Sequence, residues 1–332
     1  MKIGDLDTST RVFVVAEIGN NHEGDFGRAK EMVHRAAECG VDAIKFQTFK
    51  TRWFTSPVDP ARIKRLEGFE LSYDQFAELS RLTRSLGVSF MSTPFDLESA
   101  RFLLGICDAI KIASGDNDYR ELIRIGAGSE LPLIVSSGMS SLDEMRGLVA
   151  YLRDVRRGKA FSLLHCVSAY PAAPEQANLR AIPLLARELG CEVGYSDHTL
   201  GIDACMAAVA LGARVIEKHF TLDKNLSDFR DHQLSADPAE MKELVLRIRA
   251  VDTLLGREEK TMQAGETDIA RAARRSAAAS RDLRKGDVVT ENDIVFLRPG
   301  TGIRCGSQGT LVGKKMARDL GFGTLFSLED VT

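Results

Sequence analysis

CEVGYSDHTLGIDACMAAVALGARVIEKHF, residues 191–220, decides the fold. Two short apolar runs, CEVGYSDH and RVIEKHF, each end in polar residues, with the helix-favouring ACMAAVALG between them. Apolar runs of strand length read as parallel strands buried on both faces, and the intervening helix is the crossover such strands need. Each run also delivers a histidine at its end, His198 and His219.

Working outward, six more runs have the same character: VFVVAEIG, AIKFQTF, VSFMSTPF, AIKIASG, PLIVSSGM and FSLLHC. Helical periodicity follows several of them. FGRAKEMVHRAAECG places apolar residues at i, i+3 and i+4 and stops at Gly40. YDQFAELSRLTRSLG, SLDEMRGLVAYLRDV and PAEMKELVLRIRAVDTLLG are similar, the last with Pro238 where a first helical turn tolerates it. Strand-then-helix units repeated over about 250 residues predict an α/β fold of the (β/α)8 TIM-barrel type. The doubly wound open sheet is the competing arrangement.

The pattern changes after Gly256. REEKTMQAGETDIARAARRS is charged and poor in large apolar residues, and reads as a linker or a loosely packed helix. Short strands and turn residues follow to the C-terminus. The expected domains are a barrel at 1–258, a linker at 259–275 and a small β-rich domain at 276–332.

Composition narrows the function. The chain has 332 residues and a formal net charge of −3, which gives no electrostatic reason to expect nucleic-acid binding. Its six cysteines are scattered without a CxxC pair, so neither a disulfide framework nor a cysteine zinc site is expected. No run reaches the roughly 18 apolar residues of a membrane span, and the N-terminus lacks a secretory pattern. The expected location is the cytosol.

Active sites of TIM barrels lie at the C-terminal ends of the strands. The polar residues there are Glu17, Lys45 and Gln47, Thr93, Ser114, Ser136, His165, Ser196-Asp197-His198, and Glu217 with His219. His198 and His219 end consecutive strands, and neighbouring strands lie about 4.8 Å apart, so two imidazoles can share one ion. Such ligands suit Mn²⁺, Fe²⁺, Co²⁺ or Zn²⁺; barrel histidines used only for hydrogen bonding are the competing reading. Lys45 stands alone in an apolar run, and a buried lysine needs an anion. Ser114 and Ser136 stand beside glycines, where hydroxyls and backbone N–H groups cradle phosphate, although Ser and Gly are also ordinary turn residues. Glu17 is a candidate base, metal neighbour or ion-pair partner of Lys45. His22, beyond the strand, reads as a loop residue, and His34, inside a helix, as surface or filler.

AEIGNNHEGD, KFQT, FMSTPFD, KIASGD, SSGM, LLHCVSAYP, GYSDHTLG and EKHFTLD, in this order, resemble the sialic acid synthase family. RPGTGI and VGKKMARDL resemble that family's C-terminal domain, which is similar to type III antifreeze proteins and is called SAF. The resemblance runs from about Val12 to the C-terminus. It implies a barrel plus SAF domain that condenses phosphoenolpyruvate with an N-acetylated hexosamine aldehyde, N-acetylmannosamine or a relative, releasing phosphate. It implies metal ligation by His198 and His219, with Mn²⁺ first and Mg²⁺ or Co²⁺ as alternatives. Glu17, with the two histidines, matches the catalytic set. Lys45, Thr93, Ser114, Ser136, Ser168, Ser196 and His198 match the phosphoenolpyruvate site. Gln47, Tyr170 and Asp231 match sugar-facing positions, and Arg298 matches an arginine that serves the partner's sugar in a domain-swapped homodimer.

The sequence also departs from the family pattern. DFRDHQLS puts Arg230 where proline is usual, Ser168 stands where some members carry asparagine, and RWFTSPVDPARIKRLEGFEL matches the sugar loop poorly. These departures touch the acceptor rather than the phosphoenolpyruvate chemistry, and leave open a phosphorylated or acidic acceptor. Other readings are a related synthase for another aldose, against which the SAF-like tail argues, and a non-catalytic sugar-binding homologue, against which intact Glu17, Lys45, His198 and His219 argue. A metal-dependent hydrolase normally has a richer ligand set, such as an HxH on the first strand, which this chain lacks.

Overall fold

The computed structural model describes residues 1–332. The chain divides into two compact units, Met1–Gly256 and Arg257–Thr332. In the first, eight parallel strands close into a barrel: β1 Phe13–Gly19, β2 Ala43–Thr48, β3 Ser89–Pro94, β4 Ala109–Ile112, β5 Leu133–Ser136, β6 Phe161–Cys166, β7 Glu192–Asp197 and β8 Val215–His219. Closure is by β8 on β1, with Val215 opposite Phe13 and His219 opposite Glu17. The barrel is therefore observed, and the open sheet is excluded.

Alternation along each strand sorts residues between two cores. Phe13, Val15, Ala43, Met91, Ala109, Ile134, Leu164 and Val215 fill the barrel interior, with Ile3 of an N-terminal hairpin packed among them. Their neighbours, among them Val14, Ile44, Phe90, Ile110, Val135, Leu163 and Tyr195, face the helices. β7 contributes no interior side chain to that cluster. A Cβ on Gly194 would sit 2.3 Å from the Val215 carbonyl oxygen and 2.6 Å from Leu164 Cδ2, so only glycine fits there.

Helices follow every strand. Phe26–Glu38, Tyr73–Ser85, Leu142–Arg156, Asp203–Ala210 and Pro238–Leu255 occupy the stretches whose periodicity predicts them. Ser72 with Gln75, and Ser141 with Glu144, form capping boxes, and Asp237 caps the helix opened by Pro238. Leu97–Leu103, Arg120–Gly128 and Ala181–Leu189 complete the ring. They are only two or three turns long, where periodicity is weak, and none carries a run of helix-favouring alanines like that of Asp203–Ala210. Thr51–Phe54 and Pro60–Phe69 are extra helices between β2 and β3.

The second unit, from Arg257, takes in the expected linker at 259–275, which contains a short helix, Thr267–Ala273. Two antiparallel strands, β9 Ser276–Ala279 and β10 Ile294–Leu297, lie over a small core of Ala277, Leu283, Val289, Leu311, Met316, Leu320 and Phe326. Two buried carboxylates tie its turns. Asp293 accepts from Thr290 N and Oγ1 and pairs with Arg281, while Asp330 accepts from Ser327 and pairs with Arg318. No helix is long and apolar enough to cross a membrane.

Candidate active site

The inward positions turn polar one step above the apolar barrel interior. Phe13 and Val15 lead to Glu17, Ala43 to Lys45 and Gln47, Met91 to Thr93, Ala109 to Lys111, Ile134 to Ser136, and Val215 to Glu217 and His219. A period of two carries this set to one mouth of the barrel.

Its centre is a buried charge cluster. Lys45 Nζ lies 2.9 Å from Glu17 Oε2 and 3.4 Å from Glu217 Oε2, and donates to Thr93 Oγ1 at 3.0 Å. Lys111 Nζ donates to Ser136 Oγ at 2.6 Å and lies 3.5 Å from Glu217 Oε1. Ser196 Oγ donates to that same carboxylate oxygen at 2.9 Å. Gln47 Nε2 donates to Glu17 Oε1 at 3.2 Å, and Asn20 Nδ2 holds Gln47 Oε1 at 2.7 Å.

The two carboxylates titrate differently. Burial raises Glu17 to about 7, against the pull of Lys45 and with the help of the Glu217 charge. For Glu217 burial also acts upward, but Lys111, Lys45 and the Ser196 hydroxyl outweigh it and hold the group below the usual carboxylate range. Glu217 is thus the permanent counter-ion and Glu17 the group poised near neutrality.

Ser114, Ser168 and Cys166 converge beside this cluster. A Cβ on Gly138 would lie 2.5 Å from Ser168 Oγ, 2.6 Å from Ser114 Oγ and 2.9 Å from Cys166 Sγ, so the SSGM glycine is sterically required. The Gly138 N–H donates to Ser114 Oγ at 3.2 Å, and Ser168 Oγ is buried with no partner. Two ammonium groups and a ring of hydroxyls facing one firmly ionised carboxylate suit an incoming anion.

His198 and His219 stand together, their ring centroids 5.5 Å apart. His198 Nδ1 lies 2.8 Å from the Val167 carbonyl. A carbonyl only accepts, so Nδ1 carries the proton and Nε2 keeps its lone pair. His219 Nδ1 is buried without a partner. Burial lowers both imidazoles, and for His219 the adjacent His198 ring and the Lys45 ammonium oppose a further positive charge, so both are neutral near pH 7. Neutral rings, one oriented by a backbone carbonyl and one with an orphaned nitrogen, fit metal ligation. No third His, Cys, Asp or Glu joins them in a ligand cluster.

The remaining expected residues divide. Tyr170 packs 4.3 Å from the His198 ring and 6.3 Å from the His219 ring. Asp231 is buried, with Oδ1 lacking a hydrogen-bond partner. Arg298 is exposed in the second unit, two residues before Gly300, whose N–H caps the Arg271 carbonyl at 2.8 Å. His165 does not converge on the mouth. It points outward, with Nε2 2.8 Å from the Ala177 carbonyl and its ring stacked on Tyr195 of the outer core. Asp197 is also outward, paired with Lys218 at 2.7 Å. His22 packs on outward-facing Phe46, with Nδ1 accepting from Gly24 N.

Lys111 is a site residue that the sequence reading leaves out. Its signal is that of Lys45, one lysine in an apolar strand run, AIKI. Glu217 stood among the strand ends without a role and proves to be the hub between both lysines.

The sequence pattern of the NeuB family matches residues 32–260, and that of the SAF domain matches residues 274–332. This chain belongs to the NeuB family. Membership makes it an enzyme, a phosphoenolpyruvate-dependent transferase of the carbon–carbon bond-forming kind. This NeuB-family chain is 41% identical to N,N'-diacetyllegionaminic acid synthase of Legionella pneumophila, over 98% of the chain and 96% of that protein. It is 34% identical to human N-acetylneuraminate-9-phosphate synthase, over 92% of the chain and 88% of that protein. Among solved structures, an N-acetylneuraminic acid synthetase from Leptospira borgpetersenii superimposes with a TM-score of 0.76 at 33% identity, covering 81% of this chain and 94% of that one.

Proposed function

We propose that the chain joins C3 of phosphoenolpyruvate to the aldehyde carbon of an N-acetylated hexosamine, giving a sialic-type nonulosonic acid and phosphate. The observation that carries this reading is the meeting of a two-lysine, hydroxyl-lined anion cradle with two neutral imidazoles at one barrel mouth.

Lys45, Lys111, Thr93, Ser114, Ser136, Ser168 and Ser196 bind the phosphate and carboxylate of phosphoenolpyruvate. Their fixed charges and dipoles hold its C3 toward the aldehyde and need no reorganisation during reaction. A divalent ion on His198 and His219, Mn²⁺ before Mg²⁺ or Co²⁺, supplies Lewis-acid polarisation of the aldehyde oxygen when bound. Gln47, Tyr170 and Asp231 orient the sugar. As the C3–carbon bond forms, the aldehyde oxygen takes a proton and positive charge develops at C2. Glu17, its ionisation poised near neutrality, removes a proton from the water that adds at C2. The C2–O bond to phosphate then breaks, the C2 hydroxyl proton leaves with the phosphate, Glu17 returns its proton to solvent in place of the one the aldehyde oxygen took from it, and the keto acid remains.

The resemblance further supports a domain-swapped homodimer in which Arg298 serves the sugar site of a second copy. Mixing Arg298→Ala with Glu17→Gln subunits then restores activity that neither homodimer has. The cysteines are all free thiols, in keeping with cytosolic chemistry.

The test is phosphate release from phosphoenolpyruvate with Mn²⁺, with and without chelator, across N-acetylmannosamine, its 6-phosphate and the 2,4-diacetamido-6-deoxy relative. Identity to a diacetyllegionaminic acid synthase makes the last the first to try. Chelator-sensitive release with one of them is the expected result. Failure to bind phosphoenolpyruvate overturns the reading.

A further inference from the structure

We propose that Arg230 is a specificity-determining residue for the acceptor, reading an oxygen that accepts hydrogen bonds, an acetamido carbonyl or a phosphate, beside a hydroxyl. The inference rests on the synthase reading and deepens it toward the substrate.

Arg230 is two-thirds exposed, yet its position is defined. Its guanidinium carbon lies 4.8 Å from the centre of the Tyr170 ring, and Tyr170 in turn packs on His198. Arg230 Nε lies 3.4 Å from Asp231 Oδ1. A row of guanidinium, phenol and imidazole therefore runs from solvent to the paired histidines.

The backbone beneath this row is fixed by groups that touch no reacting atom. His232 is fully buried, with Nε2 2.8 Å from Glu23 Oε1 and Nδ1 2.8 Å from the Thr221 hydroxyl. Ser235 Oγ donates to the Asp231 carbonyl at 2.5 Å, and Asn21 Nδ2 donates to Ser235 Oγ at 3.0 Å. Phe229 packs edge-on against Phe69, 5.2 Å between centroids. Segment 229–235 is thus clamped to the loop after β1.

What this rigid segment presents is chemically specific. A guanidinium only donates, and its remaining N–H groups have no protein acceptor. The neighbouring Asp231 Oδ1 only accepts when ionised; it is buried, and the long contact to Arg230 Nε at 3.4 Å leaves it without a well-formed hydrogen bond. Side by side they complement an acceptor oxygen next to a hydroxyl. The seat of the guanidinium over the Tyr170 ring restricts Arg230 before binding, so less side-chain entropy is lost when the acceptor arrives.

The experiment measures kcat and KM for phosphate release by wild type, Arg230→Gln and Arg230→Lys with the same three acceptors. In Arg230→Gln, KM for the acceptor that wild type uses best rises about tenfold or more, the scale of one lost charge-assisted hydrogen bond. kcat and the KM for phosphoenolpyruvate stay within about twofold, because the anion cradle is untouched. Arg230→Lys separates the two oxygen sources. It recovers a phosphorylated acceptor, which a point charge serves, but not an acetamido one, which needs the planar fork. Phosphate release that Arg230→Gln leaves unchanged, or lowers equally for every acceptor, overturns the assignment while the synthase reading stands. A wild type that binds no phosphoenolpyruvate overturns both.

Discussion

Glu17 and Glu217 reach the same buried ammonium, that of Lys45, at 2.9 and 3.4 Å. Only Glu217 has a second lysine beside it, Lys111. One cation more or less separates two otherwise similar carboxylates into a counter-ion and a titrating group.

Glu17→Gln is expected to lower kcat by about 10²-fold or more, the usual scale for a lost general base. The wild-type kcat/KM rises with pH through about 7, because a base works deprotonated and burial raises Glu17 to that value. That limb is absent in Glu17→Gln. Near-normal turnover in the variant excludes Glu17 as the base.

Lys111→Met leaves Glu217 with one lysine instead of two, in a site shut off from water. Removing one partner of a buried pair costs about 3–5 kcal/mol, whereas removing both is near neutral. Urea unfolding is therefore expected to show strong destabilisation in Lys111→Met and substantial recovery in Lys111→Met/Glu217→Gln. Neither variant binds phosphoenolpyruvate normally. Equal stability of the single and double variants sinks this account.

Gly138→Ala places a methyl within 2.5–2.9 Å of Ser168 Oγ, Ser114 Oγ and Cys166 Sγ. Overpacking of this kind costs about 1–3 kcal/mol. Because the displaced atoms belong to the anion cradle, KM for phosphoenolpyruvate rises about tenfold or more while that for the sugar changes little. Steady-state kinetics with each substrate varied separately decides it.

Asp293 and Asp330 bear on acid stability. For both, burial acts upward, but Thr290 and Arg281 around Asp293, and Ser327 and Arg318 around Asp330, bring the carboxyl below its ordinary 3.8. A depressed folded pKa contributes stability above the unfolded value and loses it as pH falls through the folded one. Hydrogen exchange across residues 276–332 is expected to accelerate as pH drops below about 4, after correction for intrinsic rates. In Asp330→Asn exchange is already faster at neutral pH, and less of it depends on acid. Identical pH profiles for wild type and variant contradict the proposal.

The sequence by itself determined the barrel and most of its mouth. Short apolar runs ending in polar residues are what strands buried on both faces must look like, and their repetition needs no tertiary information. The same logic put Lys45, Thr93, Ser136, His198 and His219 at one rim. Sequence did not say which way each side chain turns. His165 and Asp197 end strands as His198 does, yet face the helices, because one residue of register moves a side chain to the other side of the sheet. Tertiary structure alone brought Glu217 of β8 between Lys45 of β2 and Lys111 of β4. It alone laid Arg230 on Tyr170, 60 positions earlier in the chain. Charge balance and pKa depend on distances across the barrel, and those exist only once eight strands have closed.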